Sequence, residues 1–244
     1  MKITDVECLV LDQDFPFVRI HTDEGITGIG ECFRRRPEIT KMLVEEVLKP
    51  ALIGKDPTDT AVRFKDMMRA GSAIEMGGLV FCAISGLDIA MWDIAGKAWG
   101  VPVYRLLGGP TRDKIRLYPS ATSWKIGPGG PRQFAATPQW VKGYVNHVKQ
   151  VRERLGPKGA IMLDAHCAMP PAFLIQLANA LEPKDVLFIE EPAVPGNIEV
   201  FKRLKAAIKI PLATGERDRT IWEFIPYLHE RCIDVLQPDI GACG

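Results

Sequence analysis

Closely spaced cysteine pairs are lacking in this sequence. Six cysteines are spread over 244 residues, without the short CxxC or zinc-type spacing that a metal site of thiolates requires. The opening segment MKITDVE is too charged for a signal peptide. These features argue against a disulfide-stapled secreted domain, and we expect a protein of the reducing cytoplasm. The cysteines are Cys8, Cys32, Cys82, Cys167, Cys232 and Cys243.

Long runs of one charge or of apolar residues are also lacking. The formal net charge is +1, and the basic runs at 34–36 and 202–203 are short. No basic stripe suggests binding to a phosphate backbone, so we expect no nucleic-acid partner. No apolar run approaches the ~18 residues of a membrane span, so we expect no membrane partner. A composition of 47% hydrophobic and 25% charged residues is typical of a folded enzyme.

The first region has the pattern of an α+β domain. Short segments of alternating apolar and polar residues are separated by tight turns, which predicts an antiparallel meander. Segments with helical periodicity follow, and the apolar stripe of the last one is typical of a core helix. The predicted strands are 2–12, 15–22 and 26–32, and the predicted helices are 37–50, 57–69 and 78–99. The region joins the next one near residues 106–110.

The second region repeats a strand followed by a helix. Its strands are continuous apolar runs, which is typical of a parallel sheet covered on both faces. The predicted strands are 116–121, 160–164, 186–190, 210–215 and 233–237, and the predicted helices are 140–155, 170–181, 197–208 and 220–230. A barrel and a doubly wound sheet both fit this pattern. Acidic residues at the ends of several successive strands favour the barrel.

Four apolar runs of the second region end in acidic residues. Asp164, Glu190 and Glu216 are 26 residues apart, and Asp239 follows after 23. This spacing is about one strand plus its crossover helix, and such strands end at one rim, about 4.8 Å apart. The first three acids can therefore converge on one hard cation, for which oxygen ligands favour Mg²⁺. A single acid at such a position is more often a helix N-cap or a solvated residue, and Asp239 is the weaker candidate for a fourth ligand.

Several motifs together resemble a known family. They are MKITDVECLV, HTDEGITGIGE, SGLDIAMWDIAGKAWGVPVYRLLGG, LDAH, FIEEP, TGER and LQPD. This combination is similar to the enolase superfamily, and within it to the mandelate racemase-like branch and its acid-sugar dehydratases of the galactonate dehydratase type. The resemblance implies an α+β capping domain over residues 1–109 that closes over a (β/α) TIM-type barrel over residues 110–244.

The resemblance also implies a chemistry, namely Mg²⁺-dependent dehydration of a sugar acid (an aldonate) to a 2-keto-3-deoxy acid. The proton α to a carboxylate is very weakly acidic, so a base removes it only if the resulting enediolate is stabilised by charge. Carried over by position, the family implies that Asp164, Glu190 and Glu216 bind Mg²⁺ and that Asp239 supports a catalytic histidine on the next strand. Members of the family are often homo-oligomers, and we expect the same here.

His166 distinguishes among the reactions of the family. It lies two positions after Asp164, and strand periodicity would place both side chains on one face. In the dehydratases, a histidine at this place is the general acid that protonates the leaving β-hydroxyl. The alternative is a histidine that is merely hydrogen-bonded near the strand end. Glu191 is expected to point the other way and to support the ligands, and the sequence does not decide whether Arg217 contacts a ligand or the substrate.

The sequence departs from the family in two places. Only 15 residues separate Trp124 from Trp140, where the family has a helix and the second barrel strand, and Lys125 does not match the catalytic lysine of that strand. The chain also stops at Gly244, just after the sixth strand, so we expect an incomplete barrel and a fragment of a longer protein. Two alternatives stay open, a racemase or cycloisomerase of the same superfamily and a non-catalytic remnant that binds metal or a carboxylate.

Overall fold

The computed structural model describes residues 1–72, 77–118 and 137–244. The chain forms two compact units. Unit 1 comprises Met1–Leu117 together with Asp239–Gly244, and unit 2 comprises Tyr118–Pro238. Each unit has its own buried hydrophobic cluster.

Unit 1 begins with the predicted antiparallel meander. Strands β1 (Ile3–Leu11), β2 (Phe15–Thr22) and β3 (Thr27–Glu31) pair in the order β1-β2-β3. In β2, buried and partly exposed positions alternate strictly, as expected for a sheet with one face on the core. The predicted strands are therefore confirmed, with shifts of at most one residue at their ends.

The helices of unit 1 cover the other side of its core. They are α1 (Pro37–Met42), a π-helical segment (Leu43–Leu48), α2 (Lys49–Leu52), α3 (Thr60–Gly71), α4 (Gly78–Trp99) and α5 (Val103–Leu106). The predicted helix over 37–50 is thus divided by the π-helical segment. The terminal segment of the chain belongs to the same unit, since the Gly244 amide donates a 2.7 Å hydrogen bond to the Ser85 hydroxyl.

Helix α4 is the core helix that the sequence predicts. By length and apolarity it could cross a membrane, contrary to the expectation that no apolar stretch is long enough. However, 67% of its apolar window is buried inside the protein. The β3 backbone lies directly on it, because a Cβ atom at Gly30 would be only 2.0 Å from the Gly86 carbonyl oxygen. Glycine is required at this close approach.

Unit 2 alternates helices and parallel strands. Its elements are α6 (Pro138–Leu155), β4 (Ile161–Asp164), α7 (Pro171–Leu181), a 3₁₀ turn (Glu182–Lys184), β5 (Val186–Glu190), α8 (Ile198–Ala207), β6 (Leu212–Thr214), α9 (Thr220–Glu230) and β7 (Val235–Leu236). The sheet order is β4-β5-β6-β7, and every neighbouring pair is parallel. The predicted order of strands and helices from residue 138 onward is confirmed.

The predicted first barrel strand, 116–121, is not formed where the structure describes it. Residues 116–118 have no regular structure, and the rest of that segment lies outside the described residues. Lys125 and most of the shortened segment before Trp140 also lie outside them. Within the described ranges, unit 2 therefore contains four parallel strands of the barrel type rather than the five that the sequence predicts.

Candidate metal centre at the ends of parallel strands

The first two acids of the predicted series end neighbouring strands at the same level. Asp164 and Glu190 are Cα partners in the register of β4 and β5. Backbone pairing continues one step beyond them, since the Ala165 amide donates to the Glu190 carbonyl oxygen at 2.8 Å. This ladder fixes both residues at one edge of the sheet. Both side chains are half-buried.

Gly215 allows Glu216 to lie at the same edge of the sheet as Asp164 and Glu190. Strand β6 ends at Thr214, and Gly215 has a φ of 141°. A Cβ atom at Gly215 would be 2.9 Å from both the Gln237 carbonyl carbon and a ring carbon of Phe224. Only glycine allows the chain to pass this point and to place Glu216 next in line. The backbone conformation at this point therefore explains the glycine of the TGER motif.

The three acids carry negative charge that is only partly compensated. Burial raises the pKa of Asp164, Glu190 and Glu216 above the usual range of carboxylic acids. The Asp164 charge further raises the pKa of Glu190 against hydrogen bonds from Gln237 and Tyr118 that lower it, and the charges of Glu191, then of Glu190 and Asp164, raise the pKa of Glu216. Like charges in a partly desolvated region destabilise one another. A bound cation would relieve this repulsion.

His166 lies beside Asp164, although the reason predicted from strand periodicity is wrong. Strand β4 ends at Asp164, and His166 has a left-handed φ of 47° in the turn that follows. Its amide donates a 2.8 Å hydrogen bond to Asp164 Oδ1, and its ring Nδ1 is 3.6 Å from Asp164 Oδ2. The turn, and not the alternation of a strand, brings the two side chains together.

Glu191 does not point away from this region as predicted. It has a left-handed φ of 45°, its side chain is only 2% exposed, and its Oε2 lies 3.1 Å from His166 Nδ1. Arg217 forms a two-pronged ion pair with the Glu191 carboxylate, through Nε to Oε1 and through Nη2 to Oε2. The sequence left the role of Arg217 open, and the structure assigns it first to Glu191, with a longer 3.7 Å contact to Glu216.

The contacts of His166 define which ring nitrogen carries a proton. Nδ1 faces the Glu191 and Asp164 carboxylates, whereas Nε2 lies 3.2 Å from Nη2 of Arg217, which can only donate. The neutral ring therefore carries its proton on Nδ1 and accepts at Nε2. Cys167, the next residue, supplies no nucleophile, because burial raises the pKa of its thiol to about 12.

Of the described residues, one set brings its ligand atoms close enough together to hold a metal ion as they stand, and it is not the predicted set of Asp164, Glu190 and Glu216. Ligand atoms of Asp164, His166 and Glu191 all lie within 4.8 Å of one another. In that set, however, Glu191 is already neutralised by the Arg217 guanidinium, which would repel a cation. The alternative set of Asp164, Glu190 and Glu216 offers three oxygen ligands and lacks such a close two-pronged pair. The Arg217 charge therefore weighs against the first set, and the second set stays a prediction of the sequence.

Two further residues at this edge were missed from the sequence. The Tyr118 hydroxyl donates to Glu190 Oε2 at 3.3 Å, and Gln237 Nε2 donates to the Tyr118 oxygen at 3.0 Å. Tyr118 stands in the run RLYPSA, and Gln237 directly precedes the Pro-Asp of LQPD. Gln237 could have been found as the residue that ends a barrel strand, but the sequence holds no signal that pairs it with Tyr118.

Asp239, the last acid of the predicted series, belongs to unit 1. Its Oδ1 accepts a 2.9 Å hydrogen bond from the Gly241 amide, and its carbonyl oxygen accepts from the amides of Ala242 and Cys243. These bonds make it the first residue of a local turn. They do not assign it a part in catalysis.

Family models match both regions of the chain. Residues 7–108 match the model described as mandelate racemase / muconate lactonizing enzyme, N-terminal domain, and residues 116–244 match the model described as enolase C-terminal domain-like. A protein named D-galactonate dehydratase from Variovorax paradoxus is 35% identical, and another of that name from Klebsiella pneumoniae is 36% identical. Each alignment covers 100% of this chain and 69% of the relative.

Solved structures are similar over the same extent. A member of the enolase superfamily from Salmonella Typhimurium has a TM-score of 0.90 at 28% identity, with 100% of this chain and 74% of that chain covered. A 3,6-anhydro-D-galactonate cycloisomerase from Zobellia galactanivorans has a TM-score of 0.86 at 26% identity, with the same coverage. The similarity supports the predicted fold class, an α+β domain followed by part of a (β/α) barrel.

Proposed function

The chain belongs to the mandelate racemase/muconate lactonizing enzyme family of the enolase superfamily, and on that premise we propose that it catalyses the Mg²⁺-dependent dehydration of an aldonate to a 2-keto-3-deoxy acid. The relatives named D-galactonate dehydratase support a lyase acting on a sugar acid. The single structural observation that carries the proposal is His166, held beside strand-end carboxylates that can bind a divalent cation.

Asp164, Glu190 and Glu216 would hold the Mg²⁺ ion. Their chemistry fits it, because the site consists of half-buried oxygen ligands whose charges repel one another. Buried polar atoms nearby, Thr214 Oγ1 and Gln237 Oε1, have no hydrogen-bond partner among the described residues, so the region is polar and incompletely satisfied. When bound, the ion would supply positive charge that stabilises the enediolate formed by α-proton abstraction.

His166 would act as the general acid that protonates the departing β-hydroxyl. Its ring is held at Nδ1 by Glu191 and at Nε2 by Arg217. Nδ1 faces the Glu191 and Asp164 carboxylates, which can only accept, and Nε2 faces the Arg217 guanidinium, which can only donate. Proton donation from Nε2 therefore requires the ring to turn away from Arg217. Glu191 and Arg217 position the acid in this proposal.

Asp239 would orient and charge a histidine that serves as the base, as the family implies. This part of the proposal rests on position in the LQPD motif, since the described contacts of Asp239 are local. Asp239→Asn should slow the exchange of the α-proton with solvent deuterium while the Mg²⁺ affinity stays nearly unchanged. Equal losses of exchange and of metal affinity would make Asp239 a ligand or a structural residue.

The test of the function is a screen of sugar acids in D₂O with Mg²⁺, followed for 2-keto acid and for deuterium at the α-carbon. We expect 2-keto acid from at least one aldonate. His166→Asn should lower dehydration by about 10²–10⁴ without loss of Mg²⁺ binding. The matched control is His229→Asn on helix α9, whose side chain is 81% exposed, and it should leave the rate unchanged.

Other outcomes would redirect the proposal. The resemblance to a cycloisomerase makes isomerisation without loss of water the second candidate, and deuterium exchange without 2-keto acid would favour it or a racemase. Mg²⁺ binding without any turnover would leave a non-catalytic protein that binds metal. Normal dehydration by His166→Asn would remove the general-acid role. A cytoplasmic location and a homo-oligomeric state stay predictions of the sequence.

A further inference from the structure

Glu190 is the one acid of the three whose carboxylate receives a phenolic hydrogen bond. Tyr118 donates to its Oε2 at 3.3 Å, and Gln237 donates through Nε2 to the Tyr118 oxygen at 3.0 Å. The direction of this chain is fixed by chemistry, because an amide nitrogen can only donate and a carboxylate can only accept. The hydroxyl proton of Tyr118 is thereby directed toward Glu190.

Both partners also have contacts that do not involve Glu190. The Tyr118 ring packs edge-on against Phe188, with centroids 6.2 Å apart and planes at 71°. Phe188 lies on β5 two residues before Glu190, so it projects from the same face of that strand. The Gln237 backbone N–H donates a 2.9 Å hydrogen bond to the Thr214 carbonyl oxygen at the end of β6, which holds its main chain in place. The Tyr118 ring and the Gln237 main chain are therefore held in part independently of the carboxylate.

Hydrogen bonds to the Glu190 carboxylate would oppose its repulsion from Asp164. Asp164 and Glu190 are register partners, and their like charges favour side-chain rotamers that carry the carboxylates apart. A hydrogen bond to Oε2 opposes that motion. Outer hydrogen bonds of this kind orient metal ligands, and their removal typically weakens metal affinity 10- to 100-fold.

We propose that Tyr118 and Gln237 are positioning residues that hold the Glu190 carboxylate ready to ligate a divalent cation. The inference rests on the proposed function, in which Glu190 is a ligand of Mg²⁺. It goes beyond that function because it gives Tyr118 and Gln237, which are not among the three carboxylates, a role in the affinity and the cation selectivity of the site.

Selectivity separates positioning from a general structural role. Mg²⁺ requires a nearly ideal octahedron of ligands, whereas Ca²⁺ accepts irregular geometry. If Tyr118 positions Glu190, its loss should weaken Mg²⁺ binding more than Ca²⁺ binding. A variant that is only partly folded should lose both affinities by the same factor.

The experiment is calorimetric titration of the protein with Mg²⁺ and with Ca²⁺. We expect Tyr118→Phe, which keeps the ring against Phe188, to lower Mg²⁺ affinity about tenfold and Ca²⁺ affinity less. Gln237→Met should shift the affinities in the same direction and serves as a second variant if the first folds poorly. The control is Tyr104→Phe, which alters a half-exposed tyrosine of helix α5 in unit 1 and should change neither affinity.

Failure of the inference and failure of the proposed function give different results. If the wild type binds Mg²⁺, Glu190→Gln abolishes binding and Tyr118→Phe binds like the wild type, the positioning role is wrong and the metal site stands. Equal loss of both cations in Tyr118→Phe would also overturn positioning. If the wild type binds no Mg²⁺, the proposed function fails, and the inference fails with it.

Discussion

Units 1 and 2 differ in where their acidic side chains lie and in how their charges are compensated. In unit 1 several carboxylates near the surface pair with basic side chains, as in Lys49 with Asp5 at 2.5 Å and Arg19 with Glu7 at 2.9 Å. In unit 2 three carboxylates are half-buried at the ends of adjacent strands, and their pKa values are raised by burial and then by neighbouring acids. Unit 1 is arranged for packing, whereas unit 2 keeps unfavourable charge in one place. Such an arrangement is typical of a functional site.

Packing in unit 1 should show the largest response to substitution. Gly30→Ala would place a Cβ atom 2.0 Å from the Gly86 carbonyl oxygen and 2.8 Å from the Ala90 nitrogen. Helix α4 would have to move, so we expect a loss of about 3 kcal/mol or more in the free energy of unfolding. Denaturant titration of the metal-free protein measures it.

The matched control for that change lies in helix α6 of unit 2. A Cβ atom at Gly143 would meet nothing within 4 Å. Because alanine is the better helix former, Gly143→Ala should raise the free energy of unfolding by about 1 kcal/mol. Destabilisation by both substitutions would contradict the close-packing explanation of Gly30.

The next largest effect concerns the Glu191–Arg217 ion pair of unit 2. Arg217→Met should destabilise the protein by about 3 kcal/mol, because it leaves the buried Glu191 carboxylate without its partner. Adding Glu191→Gln should restore part of that loss, since the double variant buries no unpaired charge. A double variant that is no more stable than Arg217→Met would show that Glu191 is not the source of the destabilisation.

Asp88 is the exception in unit 1, and it gives a test by pH. Burial on helix α4 raises its pKa from 3.8 to about 6, while a hydrogen bond with Trp92 opposes the shift. The folded protein therefore binds this proton more tightly than the unfolded chain, and stability is lost as pH rises from about 4 through about 6. Asp88→Asn should be more stable than the wild type by about 1–2 kcal/mol at pH 8, without advantage at pH 4. An advantage independent of pH would contradict the raised pKa.

The smallest effect is expected at Glu216, where solvent screens the repulsion. Its folded pKa is raised above 4.5 by burial, then by Glu191, with smaller contributions from Glu190 and Asp164. Glu216→Gln should therefore stabilise the metal-free protein at neutral pH by up to about 1 kcal/mol. The gain should vanish as pH falls through the folded pKa toward 4.5, because the wild-type carboxyl is then neutral as well. A loss of stability at pH 7 would mean that the acids are well compensated.

The regular parts of both units could be predicted from the sequence. Period-two alternation identified β2, and recurring apolar runs identified β4 and β5 to within a residue. Such patterns report burial, which is a local property of the chain. No sequence pattern indicated that a π-helical segment would divide the helix predicted over 37–50.

The site could be predicted only as far as its strands extend. Asp164 and Glu190 end strands, so periodicity and register apply to them. His166 and Glu191 have left-handed backbones just beyond those ends, where alternation no longer fixes the direction of a side chain. The Tyr118–Gln237 contact joins residues 119 positions apart, and no periodicity encodes such a pairing.

The central claim is that Asp164, Glu190 and Glu216 form one divalent-cation site, and calorimetric titration with Mg²⁺ tests it most directly. Wild type, Glu190→Gln and His166→Asn should be titrated side by side. We expect one site in the wild type, none in Glu190→Gln and nearly unchanged affinity in His166→Asn. Retained binding in Glu190→Gln with loss in His166→Asn would contradict the claim, because it would place the ion among Asp164, His166 and Glu191 instead.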